Sequence, residues 1–207
     1  PDNSTSPWVR EFVKATNTVA DALRRARPDA RIIGLGACAP TNFRMLDLGV
    51  SKNLDGVVEH PYPFSLPPEK VPYGWALAAR DGVRIGDAEG TFAGLVESYA
   101  ARFRRDGTAR TLWVTEFGFT TYRFNGANEK GLYGGYREEA QAIYLVRRFI
   151  QSLALPVIAV SCQYDFLDDY NSMPGEAEAN FGLLRGDFSP KPAYLAVQRM
   201  NSLLDAC

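Results

Sequence analysis

Thr111-Leu-Trp-Val-Thr-Glu-Phe-Gly118 reads as a buried strand that ends by presenting one carboxylate, Glu116. Apolar and β-branched residues precede the acid, and a glycine follows two positions later to open a turn. On an extended backbone Leu112, Val114 and Glu116 share one face, while Trp113, Thr115 and Phe117 share the other. A row of core residues therefore ends in an acid at the C-terminal edge of the strand. A charge there is costly unless it is hydrogen-bonded or paired. By itself the stretch reads equally well as a solvated acid at a strand end; the surrounding chain decides between the two.

Outward from this strand, the chain alternates. A helix is expected from Ser6 as N-cap and Pro7 as first residue to about Arg27, carrying Val9, Phe12, Val13, Val19, Ala20 and Leu23 at helical spacing. Arg31 to Gly36 reads as a short strand, Thr41 to about Gly49 as a short helix, and Leu54 to His60 as a second strand. A loop rich in proline and aromatics follows, holding Tyr62, Phe64, Tyr73 and Trp75. Asp87 is placed to cap the next helix, which carries Phe92, Leu95, Val96, Tyr99 and Phe103 and stops at Asp106-Gly107. The Glu116 strand is third. After a Gly-rich loop, about Thr120 to Gly135, a helix carries Ala140, Ile143, Val146, Ile150 and Leu153. Pro156 to Cys162 is the fourth strand, and a helix starting near Pro192 with Tyr194, Val197, Met200 and Leu204 closes the chain.

Alternating strands and helices imply parallel strands with crossover helices, an α/β fold. The unusual side chains all follow strands: His60-Pro-Tyr62, Glu116 and Tyr164-Asp165. Functional residues at the C-terminal ends of parallel strands are the rule in (β/α)8 barrels and doubly wound sheets. No G-x-G-x-x-G or P-loop follows a strand, which argues against the nucleotide-binding version.

At 207 residues the chain is expected to form one domain. With 23 basic against 24 acidic residues it has no cationic excess with which to bind nucleic acid. No stretch of 18 or more apolar residues predicts a membrane span. One histidine and three scattered cysteines (Cys38, Cys162, Cys207) support neither a multi-histidine metal site nor a disulfide framework, and no cofactor is expected. Cys38 and Cys162 read as core thiols at strand ends. Asn3-Ser4-Thr5 has the form of a glycosylation sequon, and Pro1 reads as a cut end with a segment expected before it.

Three elements in this order resemble the second half of the clan A retaining glycoside hydrolases, a (β/α)8 superfamily, in the manner of families 5 and 39. They are Asp55-Gly-Val-Val-Glu-His-Pro-Tyr62; Leu112-Trp-Val-Thr-Glu-Phe-Gly118; and Tyr164-Asp-Phe-Leu-Asp-Asp169 with Asn180-Phe-Gly-Leu-Leu184 and Ser189-Pro-Lys-Pro-Ala-Tyr194. The resemblance spans residues 1–207 and implies that these are the C-terminal half of a catalytic domain, with four strands equivalent to the fifth to eighth of a barrel. It implies Glu116 as the nucleophile, His60 and Tyr62 flanking it, and a hydrogen bond from Tyr62 to the Glu116 carboxylate. Tyr164, Asp165 and Asp168 would border the sugar, and Phe64, Tyr73 and Trp75 read as aromatic contacts or as pins for their own loop. The implied partners are a carbohydrate substrate and the other half of the barrel, or a second chain that completes it; the implied setting is secreted or periplasmic.

The sequence departs from the pattern in three places. The general acid/base of the clan follows an Asn on the fourth barrel strand, which this chain does not contain. An arginine expected early in the barrel is absent too. Gln163, Tyr164 and Phe166 stand where a tryptophan is usual. Within the chain only Glu59, Asp165 or Glu129 could act as the second carboxyl group; Glu59, adjoining His60, points to the opposite strand face and reads better as a salt-bridged acid. Asp165, Asp168 and Asp169 read as a solvated acidic loop rather than a cation site. The rival function is a carbohydrate-binding or assembly module on the same scaffold. A serine hydrolase is disfavoured by the lack of G-x-S-x-G.

Overall fold

The computed structural model describes residues 6–73, 83–122, 135–169 and 177–205. Its elements are α1 (Trp8–Ala26), β1 (Ile33–Gly34), α2 (Thr41–Asp47), β2 (Gly56–Glu59), α3 (Phe92–Arg105), β3 (Thr111–Val114), α4 (Glu138–Leu153), β4 (Ile158–Ser161), a 3-10 turn (Ala177–Asn180) and α5 (Pro192–Leu204). The four strands form one sheet in chain order, β1-β2-β3-β4, and every neighbouring pair is parallel. This is the expected α/β arrangement, with shorter strands. β2 is buried at all four positions, as a strand covered on both faces must be.

The chain divides into two compact units. The first comprises Pro1–Pro61, Tyr73–Thr115 and Leu155–Ser161 and holds the whole sheet with α1, α2 and α3. Its core is apolar and aromatic: Phe92, Leu95, Tyr99 and Phe103 of α3 are buried, and Tyr99 packs between Phe43 at 4.6 Å and Phe103 at 5.9 Å, centroid to centroid. Gly56 opens β2 because a Cβ there would lie 2.5 Å from the Trp113 ring. The second unit comprises Tyr62–Pro72, Glu116–Ala154 and Cys162–Cys207, and each of its segments begins within three residues of the end of β2, β3 or β4. It holds α4 packed on α5, with Phe117, Phe119 and Phe181 fully buried.

Several local expectations are corrected. Pro7 is itself the N-cap position of α1, already helical at φ −56°, and no side chain caps that end. Thr91 rather than Asp87 caps α3, accepting from Gly94 N at 2.9 Å; Asp87 sits one layer back and accepts from Thr91 N at 2.9 Å. Cys38 and Cys162 are exposed rather than core, because each lies in backbone that has already left its short strand. Ile143, Ile150 and Leu153 stand exposed on α4, whose buried face is Gln141, Ala142, Leu145, Arg148 and Ser152.

Glu59 is fully buried at the end of β2, and among the described residues it is not salt-bridged as expected. Its carboxyl group accepts from Ala39 N and Asn42 Nδ2, each at 3.1 Å, and from the Tyr99 hydroxyl. These partners are neutral, so burial dominates and pushes its pKa up to about 7 from an ordinary 4.5. The native state then holds a proton that the unfolded chain releases. Stability from this group is complete below about pH 4.5 and lost as pH rises to about 7, by on the order of 3 kcal/mol. Glu59→Gln is expected to flatten that decline, measured by denaturant unfolding at pH 5 and pH 8. An unchanged pH slope would contradict the assignment.

Candidate active site

Glu116 follows β3 by two residues and is partly buried. The Tyr62 hydroxyl donates to its Oε2 at 3.0 Å. The chain reaches this geometry by continuing the strand pairing past the sheet: Phe117 N donates to Cys162 O at 3.2 Å and Tyr164 N to Phe117 O at 2.7 Å. That approach needs Gly118, where a Cβ would fall 2.2 Å from Tyr164 O and 2.7 Å from the Phe181 ring.

Aromatic rings surround Tyr62. Its ring centroid lies 5.8 Å from that of Phe181 and 6.5 Å from that of Tyr164, both edge-on, and 6.4 Å from Phe64 with the planes 22° apart. Tyr164 and Phe181 meet edge-on at 5.6 Å. Each ring packs against others, which fixes where the Tyr62 hydroxyl points.

The Tyr164–Asp165 peptide is cis. Asp165 is half-buried, its Oδ1 has no hydrogen-bond partner among the described residues, and burial followed by the charge of Asp168 pushes its pKa up to about 6. Burial also raises the Tyr164 phenol, with the charges of Asp165, Glu178, Glu116 and Asp169 acting in the same direction.

Asp168 is buried, not solvated as expected: its Oδ2 lies 2.7 Å from Lys191 Nζ, with side chains 0% and 1% exposed. Asp168 Oδ1 accepts from Gly182 N at 2.8 Å, and Lys191 Nζ also donates to Thr121 Oγ1 at 3.0 Å. This pair ties the segment after β4, the Phe181 segment and the segment after Glu116 to the start of α5. The sequence pattern missed it because the partners are 23 residues apart.

In the first unit, His60 Nε2 pairs with Thr115 Oγ1 at 2.9 Å. The structure thus brings Tyr62, Glu116, Tyr164 and Phe64 into one cluster, adds Phe181, and places His60 against the residue before Glu116. Trp75, Glu129 and the Asn3 sequon lie outside the described residues. Among the described residues no group of His, Cys, Asp and Glu could hold a metal ion, and no helix is long and apolar enough to cross a membrane.

Solved structures share this architecture. A family 39 glycoside hydrolase from the gut symbiont Bacteroides cellulosilyticus matches over 94% of the chain with a TM-score of 0.63 and 25% identity. A GH39 β-xylosidase from Caulobacter crescentus matches over 92% at 0.55 and 16% identity, and a family 17 β-1,3-glucanosyltransferase from Rhizomucor miehei over 89% at 0.56 and 13% identity. The fold is that of part of a glycoside hydrolase chain. The chain spans 37% of the first two of these proteins and 56% of the third. No family model matches the sequence, and no curated protein matches it.

Proposed function

We propose that this chain supplies the nucleophile for retaining hydrolysis of O-glycosidic bonds in a β-linked oligo- or polysaccharide. The observation that carries the reading is the Tyr62 hydroxyl held on Glu116 Oε2 at 3.0 Å among packed aromatic rings. A carboxylate oriented in this way can attack the anomeric carbon from the face opposite the leaving oxygen. The leaving oxygen takes a proton from a second carboxylic acid, and the glycosyl ester on Glu116 is then cleaved by water that the same residue deprotonates. Tyr62 flanks the nucleophile, and Tyr164, Asp165 and Phe64 border the sugar.

The second carboxyl group is assigned to polypeptide outside these 207 residues. Glu59 is sealed in the interior of the first unit by Tyr99, Asn42 and Ala39, which does not suit protonation of a substrate oxygen. We assign residues 1–207 to the C-terminal half of a (β/α)8 catalytic domain. Two observations support this. The solved structures extend well beyond the matched region. The first unit also leaves an apolar groove of about 370 Å³ lined by Phe12, Val19, Leu23, Ile33 and Leu54, with Val19 56% and Leu23 45% exposed. The remaining barrel, in the same polypeptide or a second chain, would cover it.

The test is the anomer first released from an aryl β-glycoside by the polypeptide carrying this chain, read by proton NMR. The β-anomer is expected; the α-anomer would overturn the retaining mechanism, and sugar binding without turnover would favour a carbohydrate-binding module. Tyr62→Phe is expected to slow formation of the glycosyl ester by about 10- to 100-fold, the loss of a hydrogen bond to a charged group. Pre-steady-state release of the aryl leaving group measures it, and an unchanged rate would remove Tyr62 from the mechanism.

A further inference from the structure

The segment Pro61-Tyr-Pro-Phe-Ser-Leu-Pro-Pro-Glu-Lys-Val-Pro72 carries Tyr62 and has five prolines in twelve residues. Proline has a carbonyl but no N–H, so such a segment is rich in acceptors and poor in donors of its own. Its internal backbone bonds are two tight turns, Leu66 N to Pro63 O and Lys70 N to Pro67 O, each 2.9 Å. The remaining acceptors need donors from elsewhere.

Two side chains supply them at alternate residues. The Tyr136 hydroxyl, just before α4, lies 3.1 Å from Phe64 O and 2.9 Å from Leu66 O. Arg148 on α4 donates from Nε to Pro68 O at 2.8 Å and from Nη2 to Lys70 O at 3.3 Å. Its guanidinium also lies 5.7 Å from the centroid of Phe117, the residue after Glu116. Arg148 is fully buried, and burial lowers its pKa to about 9, which leaves it cationic at neutral pH. Between the hydroxyl of Tyr62 and the first clamped carbonyl sits Phe64, held at φ +55°, a left-handed conformation that a phenylalanine adopts only under constraint. These contacts explain why α4 turns Arg148 inward and leaves Ile143 and Ile150 outside.

We propose that Tyr136, whose single hydroxyl hydrogen is shared between the carbonyls of residues 64 and 66, and Arg148, which donates to those of residues 68 and 70, are positioning residues that hold the proline-rich segment in the conformation from which Tyr62 reaches Glu116. Their importance for turnover rests on the glycosidase reading of Glu116; the clamp itself does not.

The test separates the two. With 3-fluorotyrosine placed at position 62 of this chain, Glu116→Gln defines the fluorine shift that reports the Tyr62–Glu116 bond. Tyr136→Phe, which removes only one oxygen, is expected to move that resonance and to abolish its response to Glu116→Gln at unchanged far-ultraviolet circular dichroism. Arg148→Ala is expected to act likewise, with partial return in Arg148→Lys. An unmoved resonance in Tyr136→Phe overturns the clamp, whether or not the protein acts on sugars.

In the polypeptide carrying this chain, Tyr136→Phe is expected to slow labelling of Glu116 by a 2-deoxy-2-fluoro glycoside by about three- to tenfold. In a Tyr62→Phe background the same change is expected to cost less than about twofold, because its effect passes through Tyr62. Equal losses in both backgrounds would mean a general structural role and overturn the proposal. Absence of labelling in the parent protein counts against the glycosidase reading, while the fluorine result stands on its own.

Discussion

Glu116→Ala is expected to reduce turnover of aryl β-glycosides by at least about 10⁴-fold, the scale on which enzymes lose activity when a covalent nucleophile is removed. The loss should fall on formation of the glycosyl intermediate. Azide offers a sharper readout than rate alone. In the alanine variant a small anion can occupy the space the carboxylate leaves and attack the anomeric carbon from the same face. Only one inversion then takes place, so an activated β-glycoside is expected to yield the α-glycosyl azide, with turnover partly restored. A β-glycosyl azide would mean that Glu116 lies on the leaving-group side and is the acid/base. Glu116 lies in a half-open position rather than in a core, so Glu116→Ala is expected to leave the unfolding midpoint close to that of the parent.

The second large effect is on stability. Lys191→Met leaves the Asp168 carboxylate buried without its cation, which costs about 3–5 kcal/mol in such pairs. Replacing both partners, as Asp168→Leu with Lys191→Met, is expected to cost less than the sum of the two single changes. Some loss should remain, because Gly182 N donates to Asp168 Oδ1 at 2.8 Å and would be left without that acceptor. Urea unfolding of the four proteins measures this; additive single losses would mean that the pair is not coupled. Because the pair joins Thr121, Gly182 and the start of α5, the single variants are also expected to loosen the wall that carries Phe181.

Much of the sheet was legible because its signals are local. Runs such as Leu112-Trp-Val114 are short, apolar and bounded by turn residues, and alternation with helices implies parallel pairing. The side chains worth attention could be picked out because they follow strand ends, and the hydrogen bond expected between Tyr62 and Glu116 is present.

What was hidden depends on partners distant in sequence. Asp168 looked like one acid among several, and only Lys191, 23 residues on, makes it a buried ion. On α4 the apolar residues Ile143, Ile150 and Leu153 suggested the packed face, whereas Gln141 and Arg148 turn inward. They do so because carbonyls of irregular segments need donors: Gln141 Nε2 reaches Phe119 O at 2.9 Å, and Arg148 reaches Pro68 O at 2.8 Å. A usable signal was present in the five prolines of residues 61–72, which guarantee unmatched acceptors without saying where their donors lie. Glu59 was misread for a similar reason. Next to His60 it reads as a salt-bridged acid at a strand end, but the neutral side chains of Asn42 and Tyr99 converge on it from α2 and α3.

The most direct measurement of the central claim is mass spectrometry of the polypeptide carrying this chain after inactivation by a 2-deoxy-2-fluoro β-glycoside with a good leaving group. The fluorine slows both formation and cleavage of the glycosyl ester, and the activated leaving group restores the rate of formation only, so the intermediate accumulates. One fluorosugar per protein, located by peptide sequencing on the side chain of Glu116, is the expected result. Label on a different carboxylate, or time-dependent inactivation with Glu116 unmodified, would contradict it.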